Sequence, residues 1–73
     1  MGTLTTDEIH ALVKLALTHK CDRDLLLAGI NSQIIGTLEV KKTPKDQLLS
    51  DVIRLNELEL VDLWLKELQK LVS

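Results

Sequence analysis

The chain has 73 residues, nine basic and eleven acidic, for a formal net charge of −2, with one cysteine, one tryptophan and no Phe or Tyr. That composition lacks the basic face and the stacking rings expected of a nucleic-acid binder, and a single cysteine cannot close an internal disulfide. No apolar run approaches the ~20 residues of a membrane span, no signal-peptide pattern opens the chain, and the cysteine usage points to a reducing compartment, the cytoplasm.

The length fits one domain, residues 1–73, with a small core. A first helix is predicted from about Thr6 to His19. Thr5 as N-cap and Glu8 three residues on form a capping box, with Leu4 and Ile9 placed as a hydrophobic staple. Ile9, Leu12, Val13, Ala16 and Leu17 make its apolar stripe. Asp22 caps a short second helix, Arg23 to Ala28, with Gly29 where a left-handed residue would end it. Asn31 caps a third turn, Ser32 to Gly36. Residues 34–40 also read as a strand, but nothing convincing pairs with it, and an isolated strand leaves backbone groups unsatisfied. A helical turn followed by a loop is preferred.

Thr43-Pro44 is a strong helix start, because proline at the first position has no N–H to lose. Leu48, Leu49, Val52, Ile53 and Leu55 supply the apolar face, and Asn56 is the expected stop. A helix running on through Glu57 to Glu59 stays open. The last amphipathic stretch is Leu58 to Val72. Val61, Trp64, Leu65, Leu68 and Val72 share one face there, with Trp64 as the anchor of the core. The expected fold is all-α, a compact antiparallel bundle of four to six helices with short connections. Leu25-Leu26-Leu27 and Leu63-Trp64-Leu65 cannot each turn every side chain inward, so some apolar surface is left over.

Catalytic patterns are weak. His19, Cys21, Asp22 and Asp24 are clustered, but the paired ligands of a zinc site are missing. Cys21 with either histidine lacks a third group to orient a base. Ser50-Asp51 lies within a helix, without the Asp-Ser-Leu triplet of an acyl carrier. Gly2 with Thr6 fits a myristoylation pattern, although Thr6 is better read as part of the first capping turn. We expect no enzyme, no cofactor and no metal. Two charge groups remain. Lys41, Lys42 and Lys45 surround the loop before Pro44, and Asp7, Glu8, Asp22 and Asp24, with Arg23 among them, gather at two helix starts. Opposite patches on one small domain allow head-to-tail association.

From Leu25 onward the chain resembles bacterial effector-associated domains of type one, members of the death-like superfamily. Leu26, Leu27, Gly29 and Ile30 fit their Leu-Leu-x-Gly-hydrophobic start. Ile34 and Leu38 fit the apolar turn. Pro44, Gln47, Leu48, Leu49, Asp51, Leu55 and Asn56 fit the middle helix, and Val61, Trp64 and Leu65 the last. Leu60 stands where that pattern has proline, and the segment between Asn56 and Trp64 is shorter than the pattern's. The resemblance implies a non-catalytic adaptor that recruits effectors by like-with-like contacts in a bacterial immune or programmed cell-death system. Its partner would carry a similar death-like domain, beside a protease or nucleotide-hydrolysing effector, and the chain could also form homo-oligomers. On the composition and the apolar run lengths, neither nucleic acid nor a membrane is an expected partner. The two charge groups are the expected contacts, while Gly29, Pro44, Gln47, Asp51, Asn56 and Trp64 are expected to be structural. Gln47 and Asp51, four residues apart, share a helix face and could tie down a loop or an adjacent helix end. The alternative reading is a small helical regulator that binds an unrelated protein through a leucine-rich groove.

Overall fold

Among the described residues, four of the five helices start on a side-chain cap, which supplies an acceptor for backbone N–H groups that have no partner inside the helix. The computed structural model describes residues 4–73, so Gly2, the acceptor in the acylation pattern, lies outside the described residues. α1 spans Thr6–Thr18, α2 Arg23–Leu26, α3 Ser32–Ile35, α4 Pro44–Glu57 and α5 Val61–Val72. The Thr5–Glu8 capping box is present in full on α1. Asp22, Asn31 and Thr43 cap α2, α3 and α4 through their side chains. α5 has no side-chain cap, because Leu60 precedes it.

The all-α expectation holds, and no strand occurs among the described residues. Residues 36–43 are turn and loop, so the strand reading of 34–40 is set aside. α1 and α5 both pack on α4, and α2 packs on α5. The core is one cluster centred on Trp64, Leu26, Leu55, Val13, Val52 and Val61. Leu12, Leu17, Leu49, Leu65 and Val72 border it half-buried. Ile53, expected on the apolar face of α4, is 45% exposed instead. It follows Val52 by one residue, which turns it about 100° away from the core.

Three boundaries are corrected. α2 is one turn long and ends at Leu26, and Gly29 does not adopt a left-handed conformation. Asn56 does not stop α4: it is buried inside the helix, which runs on to Glu57. The break expected near Asn56 falls at residues 58–60, so α4 and α5 are separate helices.

The exits of α1 and α4 use one device. Lys20 (φ 53°) ends α1 and Glu59 (φ 60°) ends α4 in the left-handed region. After α1, the N–H of Cys21 reaches back to the Ala16 carbonyl at 2.9 Å and that of Lys20 to Leu17 at 3.1 Å. After α4, Leu60 reaches Leu55 at 2.8 Å and Glu59 reaches Asn56 at 3.2 Å. These six-to-one and five-to-two bonds are Schellman motifs without their usual glycine.

Candidate functional site

Asp51 lies on the core-facing stripe of α4 with Leu48, Val52 and Leu55 and has no exposed surface. A carboxylate in that position needs donors, because burial strips its water. Arg23, the first residue of α2, supplies two. Its Nε donates to Oδ2 at 2.6 Å and its Nη2 to Oδ1 at 3.2 Å. Gln47, one turn earlier on α4, donates from Nε2 to Asp51 Oδ1 at 2.9 Å and to the Glu39 carbonyl at 2.8 Å. Its Oε1 accepts the Lys41 N–H at 2.8 Å. One carboxylate and one amide thereby hold α2 and the 36–43 loop onto α4. The hydrogen bond that Arg23 donates to Asp51 raises the pKa of the guanidinium above its ordinary value, against the opposing effect of partial burial.

Arg23 was grouped with the acidic contact residues on sequence, yet the structure turns its guanidinium inward and leaves its side chain 33% exposed. The signal for this was present. Asp51 falls at the three- and four-residue spacing of Leu48, Val52 and Leu55, and a carboxylate on such a stripe calls for a cation. The chain holds only two arginines, Arg23 and Arg54.

Asn56 makes a second long-range tie. Its Oδ1 accepts the Leu4 N–H at 3.0 Å, and its Nδ2 donates to the Leu4 carbonyl at 3.1 Å. It clasps the segment before α1 to the end of α4. Trp64 is fully buried, and its Nε1–H has no hydrogen-bond partner among the described residues. Pro44 is at the first position of α4. At Gly29 a Cβ would lie 3.8 Å from Leu63 Cβ, an ordinary contact.

The charge groups lie at the surface but not all are idle. Lys41 Nζ pairs with Glu39 at 2.6 Å, which raises the lysine and lowers the glutamate from their ordinary pKa values. Lys42 and Lys45 are exposed, as are Asp7, Asp22 and Asp24. Glu8 is exposed while its carboxylate accepts the Thr5 N–H. That bond and the Thr5 hydroxyl hold it below the usual glutamate range. Cys21 is a half-buried free thiol, and burial raises its pKa. Among the described residues no group of three His, Cys, Asp or Glu is placed to hold a metal, and no helix is long and apolar enough to cross a membrane.

Two concave surfaces flank α4. One, of about 710 Å³, runs under the 36–43 loop and is lined by Glu39, Lys41, Asp46, Ser50, Arg54 and Glu57 among others, with both charge signs interleaved. The other, of about 500 Å³, lies between α1 and α4. Val13, Leu17 and Leu49 give it an apolar floor, and His10, Lys14 and Lys45 surround it. Sequence reasoning named Lys45 but missed His10 and Lys14, whose alignment with Lys45 exists only after α1 packs on α4.

A family model described as effector-associated domain 5 matches residues 3–62. The matched span takes in α1 to α4 and the first two residues of α5, so it includes the first helix, which the motif resemblance did not reach, and stops short of Trp64. The matching description carries the number five, where the motifs had pointed to type one. No curated protein and no solved structure gives a match.

Proposed function

This chain belongs to the effector-associated domain 5 family, and we propose that it works as a non-catalytic adaptor which brings effectors together through like-with-like contacts. The family match over residues 3–62 carries this reading. On it, the partner bears a similar domain of death-like type, fused to or encoded beside a protease or nucleotide-hydrolysing effector. The setting is a bacterial immune or programmed cell-death system in the cytoplasm. Recruitment then acts through effective concentration, so each contact can be weak.

The surface chemistry supports the reading. Arg23 and Asp51, the most buried pair of charges, serve the fold. Lys42 and Lys45 are exposed before and at the start of α4, Asp7, Asp22 and Asp24 are exposed at the starts of α1 and α2, and Leu25 and Leu63 are exposed as well. Oppositely charged patches favour fast, selective encounter over raw affinity.

Biolayer interferometry on the immobilised chain tests this, with effector-associated domains encoded beside effectors as analytes. The expected result is saturable binding to such a domain that weakens as salt rises. Binding to none of them, with capture instead of an unrelated protein that is lost when exposed leucines are made polar, would overturn it.

A further inference from the structure

The loop before α4 turns the backbone of one residue outward. Gln47 gives both groups of its side-chain amide to this loop. Its Nε2 donates to the Glu39 carbonyl and its Oε1 accepts the Lys41 N–H, each at 2.8 Å. No peptide bond here is cis, and in a planar trans peptide the C=O and the N–H point opposite ways. The Glu39 carbonyl points at Gln47, so the Val40 N–H in the same peptide points away. The Lys41 N–H points at Gln47, so the Val40 carbonyl points away too. Both groups thus lie on the outer side of the loop, and neither has a hydrogen-bond partner among the described residues.

The side chains divide in the same way. Lys41 Nζ reaches Glu39 at 2.6 Å, which puts these two on one face. Val40 stands between them and is 89% exposed. A residue that offers its N–H and C=O on one side is the unit of an open strand edge. Residues 39–46 are all exposed, so the described chain leaves this edge uncovered.

The segment is also its own complement. With Val40 opposite Val40 of a second copy in antiparallel order, each valine donates one N–H···O bond and accepts one. Glu39 then faces Lys41 of the second copy, and Lys41 faces its Glu39. Parallel alignment would instead set like charges against each other. We propose that residues 39–41 are a strand-pairing site for a second copy, closing an antiparallel dimer about Val40. The pairing stands apart from the adaptor reading and does not rest on it. Both copies use the same residues, so this contact is isologous and closes at two copies. Three residues a side fall far below the roughly 20–30 of a standard interface. The dimer is therefore weak in dilute solution and forms where copies are held close.

Sedimentation equilibrium of the full chain up to millimolar concentration tests it. Wild type passes from monomer to dimer as concentration rises. Val40→Pro removes the outward N–H and needs at least about tenfold more protein for half-association. Glu39→Lys and Lys41→Glu each bring like charges together and weaken the dimer when alone. Mixed, these two restore it as a one-to-one pair, because the lysines of one face the glutamates of the other. All three positions are exposed, and Gln47 uses only the backbone of Glu39 and Lys41. If Val40→Pro loses helix by circular dichroism, a synthetic chain with N-methylated Val40 repeats that arm. A wild type that stays monomeric throughout would overturn the pairing. So would association that all three variants share with wild type.

Discussion

Asp51 and Arg23 are unequal partners, and their substitutions should differ accordingly. Removing Arg23 leaves a fully buried carboxylate that keeps the bond from the Gln47 amide but loses its cation. Arg23→Ala should therefore cost about 3 kcal/mol, near the lower end for breaking a buried ion pair. Asp51→Asn leaves a guanidinium that already reaches solvent and can turn further toward it, so about 1–2 kcal/mol is expected. Urea denaturation followed by Trp64 fluorescence reads both, since the only aromatic side chain is fully buried. A larger loss for Asp51→Asn would contradict this assignment. Gly29→Ala makes the opposite kind of test. The glycine is not left-handed, and a methyl group there would make an ordinary contact with Leu63 Cβ at 3.8 Å. The change should be neutral or stabilising by about 0.4–1 kcal/mol, through the unfolded chain. A marked drop in melting temperature would show that Gly29 is required for close packing.

At the scale of the elements, the helix ends are the adjustable parts. Lys20 is an exposed non-glycine residue in the left-handed position of the α1 exit. Lys20→Gly should stabilise the chain by about 1 kcal/mol by relieving the clash of a Cβ with its own backbone. An unchanged or lower urea midpoint would refute that. The α1 entrance should be acid-sensitive. Glu8 has a lowered pKa in the folded state, so its contribution is present above the ordinary glutamate value of 4.5 and is lost as pH falls through the lowered one. The Thr5 amide proton, which Glu8 accepts, should titrate below 4.5 by NMR, and Glu8→Gln should abolish that titration. Gln47 holds the 36–43 loop by bonds to Glu39 and Lys41. Gln47→Ala should speed hydrogen exchange at the Lys41 amide while amides in α1 stay protected. Helix starts were legible in the sequence because Thr5, Asp22, Asn31 and Thr43 act on N–H groups two or three residues away. Helix exits were not, because Lys20 and Glu59 carry no glycine-like mark. Asn56 was misread as a stop because its partner, Leu4, lies 52 residues away in the chain. Arg23 was half-legible: Asp51 announced the need for a cation, but only packing selects which one. The groove was not legible at all, since its lining joins Leu17 and earlier residues of α1 to Lys45 and Leu49 of α4, far apart in the chain.

At the scale of the molecule, the Arg23–Asp51 pair ties α2 to α4. It does so on the side of α4 away from Lys45 and Leu49, which line the groove with α1. The central claim is that the chain binds a similar domain through its exposed charges. Amide chemical shifts of the ¹⁵N-labelled chain, followed as an unlabelled effector-associated domain is added at low salt, test it most directly. The account predicts shifts among the exposed groups at Asp7, Asp22, Asp24, Lys42 and Lys45 that fade as salt rises. A spectrum that does not change as such domains are added would contradict it.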